Sequence, residues 1–321
     1  QSKQDLLASK LMSMIFYSEN DSWVNWSAYL QRDVPEIPLR HWDEPGNDEA
    51  VRFALVWNPP RGELKRRFPN LEYIFSLGAG VDALLDDPDL PDGVPVVRMV
   101  EDALVIGMTE YVLLHVLRIH RQHRTFELQQ RACKWQQIVT PLAPNRKIGL
   151  MGLGVLGKNA AAALNALRFD VASWTRSPKN ITGVTAFHGH NELEIFLAQT
   201  EILVVLLPLT NDTRGMLNAD LFAKLPKGAG LINAGRGGLQ VEKDIISALN
   251  TGQLSEAVLD VFETEPLPRN NPLWRHPGVT LTPHNAALTG SKTGAREVAS
   301  NLRRVLSGER PYNIVDIKAG Y

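Results

Sequence analysis

The sequence predicts an α/β protein with two doubly wound domains, and three observations support this prediction. The chain has 321 residues, which is enough for two domains of ordinary size. Hydrophobic residues make up 44% of it, so a sizeable core can be buried. Short apolar runs, typical of strands, alternate with helical patterns along the chain. Because parallel strands need crossover helices, this alternation indicates parallel sheets that are covered by helices on both faces.

The individual elements follow from these runs. In the first hundred residues, strands are expected at 14–17, 53–57, 73–77 and 94–99, with helices at 22–30 and 63–68. A long helix is expected at 104–130. Six further strands are expected at 147–152, 171–174, 202–207, 230–233, 257–261 and 279–282. Helices fall between most of these, for example at 160–167, 221–224 and 243–249.

A glycine-rich turn, GLGVLG, lies between a strand-like run and an alanine-rich helix. Gly152 allows a tight turn, Gly154 lets the backbone approach a pyrophosphate, and Gly157 lets helix and strand pack closely. The helix N-terminus at Val155 and Leu156 offers unpaired N–H groups to phosphates. A glycine turn without a ligand is the alternative, but the flanking strand KIGLM and the alanine-rich helix favour dinucleotide binding.

This turn lies well inside the chain, so the first hundred residues need another role. The simplest partition inserts a Rossmann-type nucleotide domain, residues 107–288, into a flavodoxin-like substrate domain formed by residues 1–106 and 289–321. A C-terminal helix at about 289–306 would complete the substrate domain. A cleft between two such domains is a natural place for a small ligand.

The stretch SWTRSPK follows the second strand of the nucleotide domain, where a carboxylate commonly binds the adenosine ribose. Asp170 is acidic, but it lies at the start of that strand, whereas ligands bind beyond the carboxyl ends. A guanidinium binds phosphate through two parallel hydrogen bonds, and a hydroxyl can add another. The residues expected to bind the 2′-phosphate of NADP are Thr175, Arg176, Ser177 and Lys179. The alternative is a solvated basic turn.

Three polar residues each follow a strand-like run: Arg236 in LINAGRGG, Glu265 in LDVFETEPLP and His284 in LTPHNAA. Arg236 offers an always-charged planar fork to a carboxylate or oxo group. His284 can give or take a proton near neutral pH, and Glu265 would stabilise its imidazolium and orient the ring. With a reduced nicotinamide, these groups would reduce a 2-oxo acid. Each residue alone could be structural, but their joint placement favours catalysis.

These motifs, together with SLGAGVD, MTEYVL, LPLT and NPLWRHP, stand in the order found in D-2-hydroxyacid dehydrogenases. From position 14 onward the sequence resembles that family, and within it the NADPH-preferring branch that reduces glyoxylate and hydroxypyruvate. The resemblance implies that Arg236, Glu265 and His284 are catalytic and that the cofactor is NADP(H). It also implies a homodimer joined through the nucleotide domains and the long helix before the glycine turn.

The resemblance implies further site residues on both sides of the reaction. On the cofactor side these are Leu207, Pro208 and Asp260, the last of them beside the nicotinamide carboxamide. On the substrate side they are Ala79 and Gly80, whose backbone amides would hold the substrate carboxylate, and the tryptophans Trp42, Trp57 and Trp274.

Composition excludes or disfavours several other classes. A formal net charge of −1 argues against a general nucleic-acid-binding protein. The single cysteine, Cys133, excludes an intrachain disulfide and favours a reducing compartment, so a cytoplasmic enzyme is expected. The longest apolar run, 202–209, is too short to span a bilayer, and the first residues lack the order of a signal peptide. His120 and His123 lie three apart on a predicted helix, but a solvated face is expected there rather than a metal site.

Two other functions stay open at this point. One is a nucleotide-sensing binding protein, since some relatives of this fold are transcriptional corepressors. The intact acid–base pair argues against it, because a sensor need not keep one. The other is a dehydrogenase for a larger 2-hydroxy acid, since the sequence does not define the volume of the pocket.

Overall fold

The computed structural model describes residues 12–317. Residues 1–11, on which part of the signal-peptide argument rests, and residues 318–321 lie outside the described part of the chain. The described residues form two compact units. One contains the residues up to Leu104 and those from Leu288 onward, and the other is Val105–Ala287. The domain boundaries expected after residues 106 and 288 stay a prediction, since compactness alone does not show that either unit folds by itself.

The first unit contains a parallel five-stranded sheet. Its strands are β1 (Ser13–Tyr17), β2 (Leu39–His41), β3 (Val51–Val56), β4 (Tyr73–Ser76) and β5 (Val96–Val97). Its first helices are α1 (Trp23–Asp33), α2 (Glu63–Arg67) and α3 (Asp82–Leu85). The strand order, β2-β1-β3-β4-β5, is that of a flavodoxin-like sheet.

The second unit contains a parallel seven-stranded sheet. Its strands are β6 (Lys147–Met151), β7 (Asp170–Thr175), β8 (Val184–His188), β9 (Ile202–Val205), β10 (Ala229–Asn233), β11 (Leu254–Leu259) and β12 (Val279–Leu281). The helices of this part of the chain are α4 (Asp102–His120), α5 (His123–Arg131), α6 (Val155–Ala166), α7 (Gly189–Ala198), α8 (Ala219–Ala223) and α9 (Glu242–Asn250). The order β8-β7-β6-β9-β10-β11-β12 is the Rossmann order with one strand added, so the predicted fold class is confirmed.

The central strands of the second sheet are buried on both faces, which explains their continuous apolar sequences. In β9 the four residues ILVV are all buried. Leu203 and Val205 pack into a layer with Phe196, while Ile202 and Val204 pack into the opposite layer with α4. Each such buried side chain contributes about 1.5–3 kcal/mol of transfer free energy. These two layers hold the strand ends in fixed positions.

The single long helix expected at 104–130 is wrong, because α4 ends at His120 and α5 begins at His123. Between them Gln122 has a φ of 53°, a left-handed conformation that interrupts an α-helix. The two histidines therefore lie on different helices. His120 is only 4% exposed and packs edge-on against Phe169, whereas His123 pairs with Glu127. The expected solvated face is wrong for His120.

Helix α4 has the length and apolar composition that a membrane crossing requires, and no other helix within residues 12–317 has both. The core helix of an α/β protein meets the same criteria, so this is weak evidence for a span. Met108, Val112 and Val116 of α4 are buried in the core of the second unit. The longest uninterrupted apolar run of the sequence does not lie in α4, because Glu110 and Arg118 interrupt the apolar residues of this helix.

The C-terminal helix α10 (Ser291–Leu306) returns to the first unit and packs on α1. Its buried face carries Ala295, Val298, Ala299 and Leu302, at the i, i+3, i+4, i+7 spacing of an amphipathic helix. Gly294 lies against the ring of Trp26, and a Cβ at that position would be 2.6 Å from the ring. The first sheet therefore acquires part of its helical cover from the end of the chain.

Candidate active site

The glycine turn joins β6 to α6 and has the shape of a phosphate cradle. Gly152 has a φ of 104°, and a Cβ there would lie 2.8 Å from the carbonyl oxygen of Leu206. A Cβ at Gly157 would lie 2.1 Å from the carbonyl oxygen of Gly152, so the helix can approach the turn only with glycine. A Cβ at Gly154, the N-cap of α6, would meet nothing within 4 Å. This open space before a helix N-terminus fits a pyrophosphate.

The basic turn begins at the carboxyl end of β7. Thr175 is buried, and its hydroxyl donates a hydrogen bond of 2.7 Å to the carbonyl oxygen of Ser177. Arg176 and Ser177 are exposed. Nζ of Lys179 donates to the carbonyl oxygen of Leu153 at 3.3 Å, which links the basic turn to the glycine turn. Thr175 and Lys179 thus shape the turn, while Arg176 and Ser177 lie on its surface.

His284 and Glu265 form an ionisable pair at the carboxyl ends of the second sheet's strands. Nδ1 of His284 lies 2.7 Å from Oε2 of Glu265, and the N–H of Phe262 donates to Oε1 at 2.9 Å. Burial opposes ionisation of Glu265, but the hydrogen bonds from His284 and Phe262 and the charges of His284 and Arg236 outweigh it. The pKa of Glu265 is therefore lowered, and the side chain is a carboxylate at neutral pH.

Arg236 follows β10 and is half-buried at the start of a short 3₁₀ turn. Its Nη1 donates to the carbonyl oxygen of Gly235 at 2.8 Å. The next residue, Gly237, lies so close to Phe262 that a Cβ on it would be 1.8 Å from the Phe262 carbonyl oxygen. The loop that carries Arg236 thus packs directly against the segment that leads to Glu265.

Asp260, at the end of β11, is 1% exposed and binds the loop that carries His284. Its carboxylate accepts hydrogen bonds from the Thr282 hydroxyl at 2.5 Å, the Asn285 N–H at 2.8 Å and the Ala286 N–H at 2.9 Å. Burial outweighs these bonds and raises the pKa of Asp260. The carboxylate holds a loop in which His284 has a left-handed φ of 52°.

Sequence reasoning missed two hydroxyl groups behind this loop. The Tyr111 hydroxyl, on α4, lies 2.8 Å from Oγ1 of Thr282, which in turn donates to Asp260. Burial raises the pKa of Tyr111, so it stays a neutral phenol. The two partners are 171 positions apart in the chain, and no local pattern connects them.

The remaining cofactor-side residues follow β9. Leu207 is buried and Pro208 is half-buried. The Thr213 hydroxyl donates to the carbonyl oxygen of Pro208 at 2.8 Å and closes the turn that begins with LPLT.

The substrate-side loop lies in the first unit, directly after β4. Ala79 and Gly80 are half-buried there. The Ser76 hydroxyl accepts from the Gly78 N–H at 3.2 Å and donates to the Gly80 carbonyl oxygen at 3.4 Å, which fixes the turn. The ring of Trp57 covers Gly78, where a Cβ would lie 2.4 Å from the indole.

The other two tryptophans occupy different environments. Trp42 is buried beneath the Arg67 guanidinium, which lies 4.7 Å from the ring centroid. Trp274, in the second unit, is 52% exposed, and its indole N–H donates to the carbonyl oxygen of Pro268 at 3.0 Å. Their contacts with substrate stay predictions. Within residues 12–317, no group of three metal-ligating side chains is placed to hold a metal ion.

Comparison with known proteins gives consistent matches over nearly the whole chain. Residues 113–286 match the family model "D-isomer specific 2-hydroxyacid dehydrogenase, NAD binding domain". Glyoxylate/hydroxypyruvate reductase A of Serratia proteamaculans (strain 568) is 42% identical over 315 residues, which cover 97% of this chain and 100% of the relative. The chain belongs to the D-isomer specific 2-hydroxyacid dehydrogenase family.

Solved structures of family members agree with this assignment. A D-isomer specific 2-hydroxyacid dehydrogenase from Xanthobacter autotrophicus Py2, in complex with NADPH and MES, is 44% identical with a TM-score of 0.93, covering 97% of this chain and 99% of that chain. The NADPH-dependent glyoxylate/hydroxypyruvate reductase from Sinorhizobium meliloti, in complex with NADP and sulfate, is 39% identical with a TM-score of 0.91, covering 97% and 100%. Both proteins are similar to this family member over nearly their full length.

Proposed function

We propose that this protein reduces small 2-oxo acids, glyoxylate and hydroxypyruvate among them, with NADPH. The observation that carries the proposal is the pair of His284 and Glu265, 2.7 Å apart, with the Arg236 loop packed against the segment that leads to Glu265. An acid–base pair next to a fixed cation suits the reduction of a carbonyl in an anionic substrate. The named reductases among the relatives support the same substrates.

Reduced nicotinamide, when bound, supplies the hydride that C2 of the substrate accepts. Because Nδ1 of His284 is held by Glu265, proton transfer to the substrate oxygen falls to Nε2. The Glu265 carboxylate stabilises the imidazolium before it gives up its proton. Arg236 holds the substrate and polarises its carbonyl. On the substrate side, the backbone amides of Ala79 and Gly80 would bind the carboxylate, and Trp57 and Trp274 are each proposed as substrate contacts.

The residues of the glycine turn would hold the cofactor pyrophosphate, since Gly154 leaves open space before α6. Arg176 and Ser177 would bind the 2′-phosphate, and Lys179 keeps the basic turn against the glycine turn. Leu207 and Pro208 would contact the cofactor beyond β9, and Asp260 would bind near the carboxamide. A carboxylate at position 176 would repel the phosphate, and the chain has none in this turn. NADPH is therefore the preferred cofactor.

A homodimer is part of the proposal. Exposed apolar side chains lie on α4, on α5 and on the segment after α5: Ile106, Leu114, Leu117, Phe126, Leu128, Trp135, Val139 and Leu142. Patches of this kind mark protein–protein contacts, and Trp135 is 97% exposed in a single chain. We assign the patch to a second copy of this chain. Leu114→Glu should then give monomers in analytical ultracentrifugation, and a monomeric wild type would contradict the assignment.

A cytoplasmic location also belongs to the proposal. Cys133 is a free and exposed thiol, which is suited to a reducing compartment. Cell fractionation with antibody detection would test this placement.

The test of the function is a panel of 2-oxo acids, assayed with NADPH and with NADH by loss of absorbance at the reduced nicotinamide band. Highest kcat/KM for glyoxylate or hydroxypyruvate with NADPH supports the proposal. A clear preference for a bulky aromatic 2-oxo acid would instead indicate a dehydrogenase for larger 2-hydroxy acids. Tight NADPH binding without turnover of any acid would indicate a nucleotide-sensing protein.

A further inference from the structure

Two carboxamide side chains lie completely inside the second unit, beneath the Arg236 loop. Asn233 is 0% exposed and Gln240 is 3% exposed. They flank the loop on either side, as the last residue of β10 and the residue after the 3₁₀ turn. Burying two amides is costly unless each finds partners, so their hydrogen bonds define what they do.

The hydrogen bonds of the two amides fix the orientation of both groups. Oε1 of Gln240 accepts from Nδ2 of Asn233 at 2.8 Å, and Nε2 of Gln240 donates to the carbonyl oxygen of Val261 at 3.0 Å. Oδ1 of Asn233 accepts from the Gly235 N–H at 3.1 Å. Turning the Gln240 amide over would set its oxygen against the Val261 carbonyl and its nitrogen against the Asn233 amide. The pair therefore has one satisfied arrangement.

Gln240 bridges two loops that carry different parts of the site. On one side, Nδ2 of Asn233 also donates to the carbonyl oxygen of Arg236 at 3.2 Å, so the amide pair holds the backbone of Arg236. On the other side, Val261 precedes Phe262, whose N–H donates to Glu265 at 2.9 Å. One side chain thus fixes the Arg236 loop relative to the Glu265 segment.

We propose that Gln240 is a positioning residue that sets the distance between Arg236 and the Glu265–His284 pair. This inference rests on the proposed function, because it assigns Gln240 a part in that reaction. An apolar side chain could fill the same space, but it could not hold the two backbone segments in register. Because proton transfer and hydride acceptance require precise geometry, displacement of about 1 Å can cost about 10²-fold in rate.

The experiment compares Gln240→Met with Gln253→Met. Gln253 is a matched control, since its Nε2 donates to the carbonyl oxygens of Phe222 at 2.7 Å and Leu225 at 3.0 Å in the same unit, away from the Arg236 loop. Both changes remove two side-chain hydrogen bonds and keep the side-chain length. Gln240→Met should lower kcat/KM for glyoxylate by about 10–100-fold, with NADPH affinity within about twofold of wild type. Gln253→Met should lower only the Tm.

A positioning role has a second signature in the pH dependence. When the Glu265 segment shifts, the contact between the Glu265 carboxylate and the His284 imidazolium weakens. The alkaline limb of the kcat/KM profile should therefore move to lower pH. The NMR signal of the His284 ring, assigned from a His284→Ala spectrum, should move from its wild-type position because the contact with Glu265 lengthens. Gln240→Asn, which keeps the carboxamide but shortens it by one methylene, should give a smaller shift in the same direction.

The outcomes separate the two proposals. If the wild type reduces no 2-oxo acid, the proposed function fails, and the NMR signal of the His284 ring still decides whether Gln240 positions the pair. If Gln240→Met does not fold, the comparison is made with Gln240→Asn. A pH profile and a His284 NMR signal that match those of Gln253→Met would leave Gln240 a purely structural residue and overturn the inference.

Discussion

Arg236 and Arg176 both follow strands of the second sheet, but their surroundings differ. The buried amides of Asn233 and Gln240 hold the Arg236 loop through hydrogen bonds, and Gly237 of this loop packs against the Phe262 carbonyl. Arg176 lies in an exposed turn, in which the Thr175 hydroxyl donates to the carbonyl oxygen of Ser177 and Lys179 donates to that of Leu153. A reacting carbonyl tolerates little displacement of its partners, whereas a phosphate can be bound from several directions. Given the proposed function, we therefore expect Arg236 to need a fixed position and Arg176 to tolerate displacement.

The largest effect is expected from a change in the proposed catalytic residues, which require a fixed geometry. His284→Ala removes the proton donor, so kcat/KM for glyoxylate reduction should fall by about 10²–10⁴-fold, the usual worth of a positioned acid. NADPH binding, measured by fluorescence titration, should stay close to wild type. His190→Ala changes an exposed histidine on α7 and serves as the control. Near-normal activity in His284→Ala would place the proton donor elsewhere.

Arg236→Lys tests whether the reaction requires the planar guanidinium of Arg236 or only its positive charge. Lysine keeps the charge but cannot form two parallel hydrogen bonds with a planar acceptor. Losing one charge-assisted bond costs about 1.5–3 kcal/mol, so kcat/KM should fall by roughly 10–10²-fold while the Kd for NADPH changes little. Arg168→Lys, at an exposed position before β7, is the control. An unchanged kcat/KM would show that only the charge of Arg236 matters.

Arg176→Ala tests the proposed 2′-phosphate site in the exposed turn after β7. In an exposed turn the loss should be at the low end for a charge-assisted bond, about 1.5 kcal/mol, which is roughly tenfold in NADPH affinity. The affinity for NADH should hardly change, because NADH lacks the 2′-phosphate. Lys227→Ala removes an exposed cation from the loop before β10 and controls for net charge. Equal losses for the two cofactors would remove the assignment of Arg176 to the 2′-phosphate.

Glu265→Gln should give the smallest change, a shift in pH dependence. The lowered pKa of Glu265 means that its carboxylate is present at every pH above the ordinary glutamate range and is lost only below it. Its charge favours the imidazolium of His284, so replacing it by an amide should move the alkaline limb of the reduction profile to lower pH. Glu263→Gln, at an exposed neighbour, is the control. An alkaline limb that stays at the wild-type pH would contradict the proposed pairing of Glu265 with His284.

The sequence predicted those parts of the fold that depend on local pattern. Buried parallel strands are continuous apolar runs, so β6, β9 and β10 were found within a residue or two of their ends. The second helix of the first unit, Glu63–Arg67, ends one residue before the end expected at 68. The strand β8 was missed because its residues Val184–His188 are mostly exposed at the sheet edge and include Thr185 and His188.

The contacts that fix the candidate site are not local, which is why the sequence could not predict them. The Tyr111 hydroxyl meets Thr282 only because α4 lies against the end of β12. In the sequence, Gln240 is an ordinary polar residue after GRGG. It is buried because the Val261–Phe262 segment lies against it. The break at Gln122 was missed because a left-handed glutamine has no marker in the sequence, unlike glycine or proline.

The return of α10 to the first unit also sets an order for biosynthesis. The ribosome makes the strands of the first sheet, then all of Val105–Ala287, and only then the helix that covers Trp26. At about 5–20 residues per second, roughly 10–40 s pass between the last early strand and that helix. When α10 is made, every strand of the inserted unit has already been made, whereas the first unit still lacks this helix. The helix that completes the first core therefore leaves the exit tunnel only after the whole inserted unit.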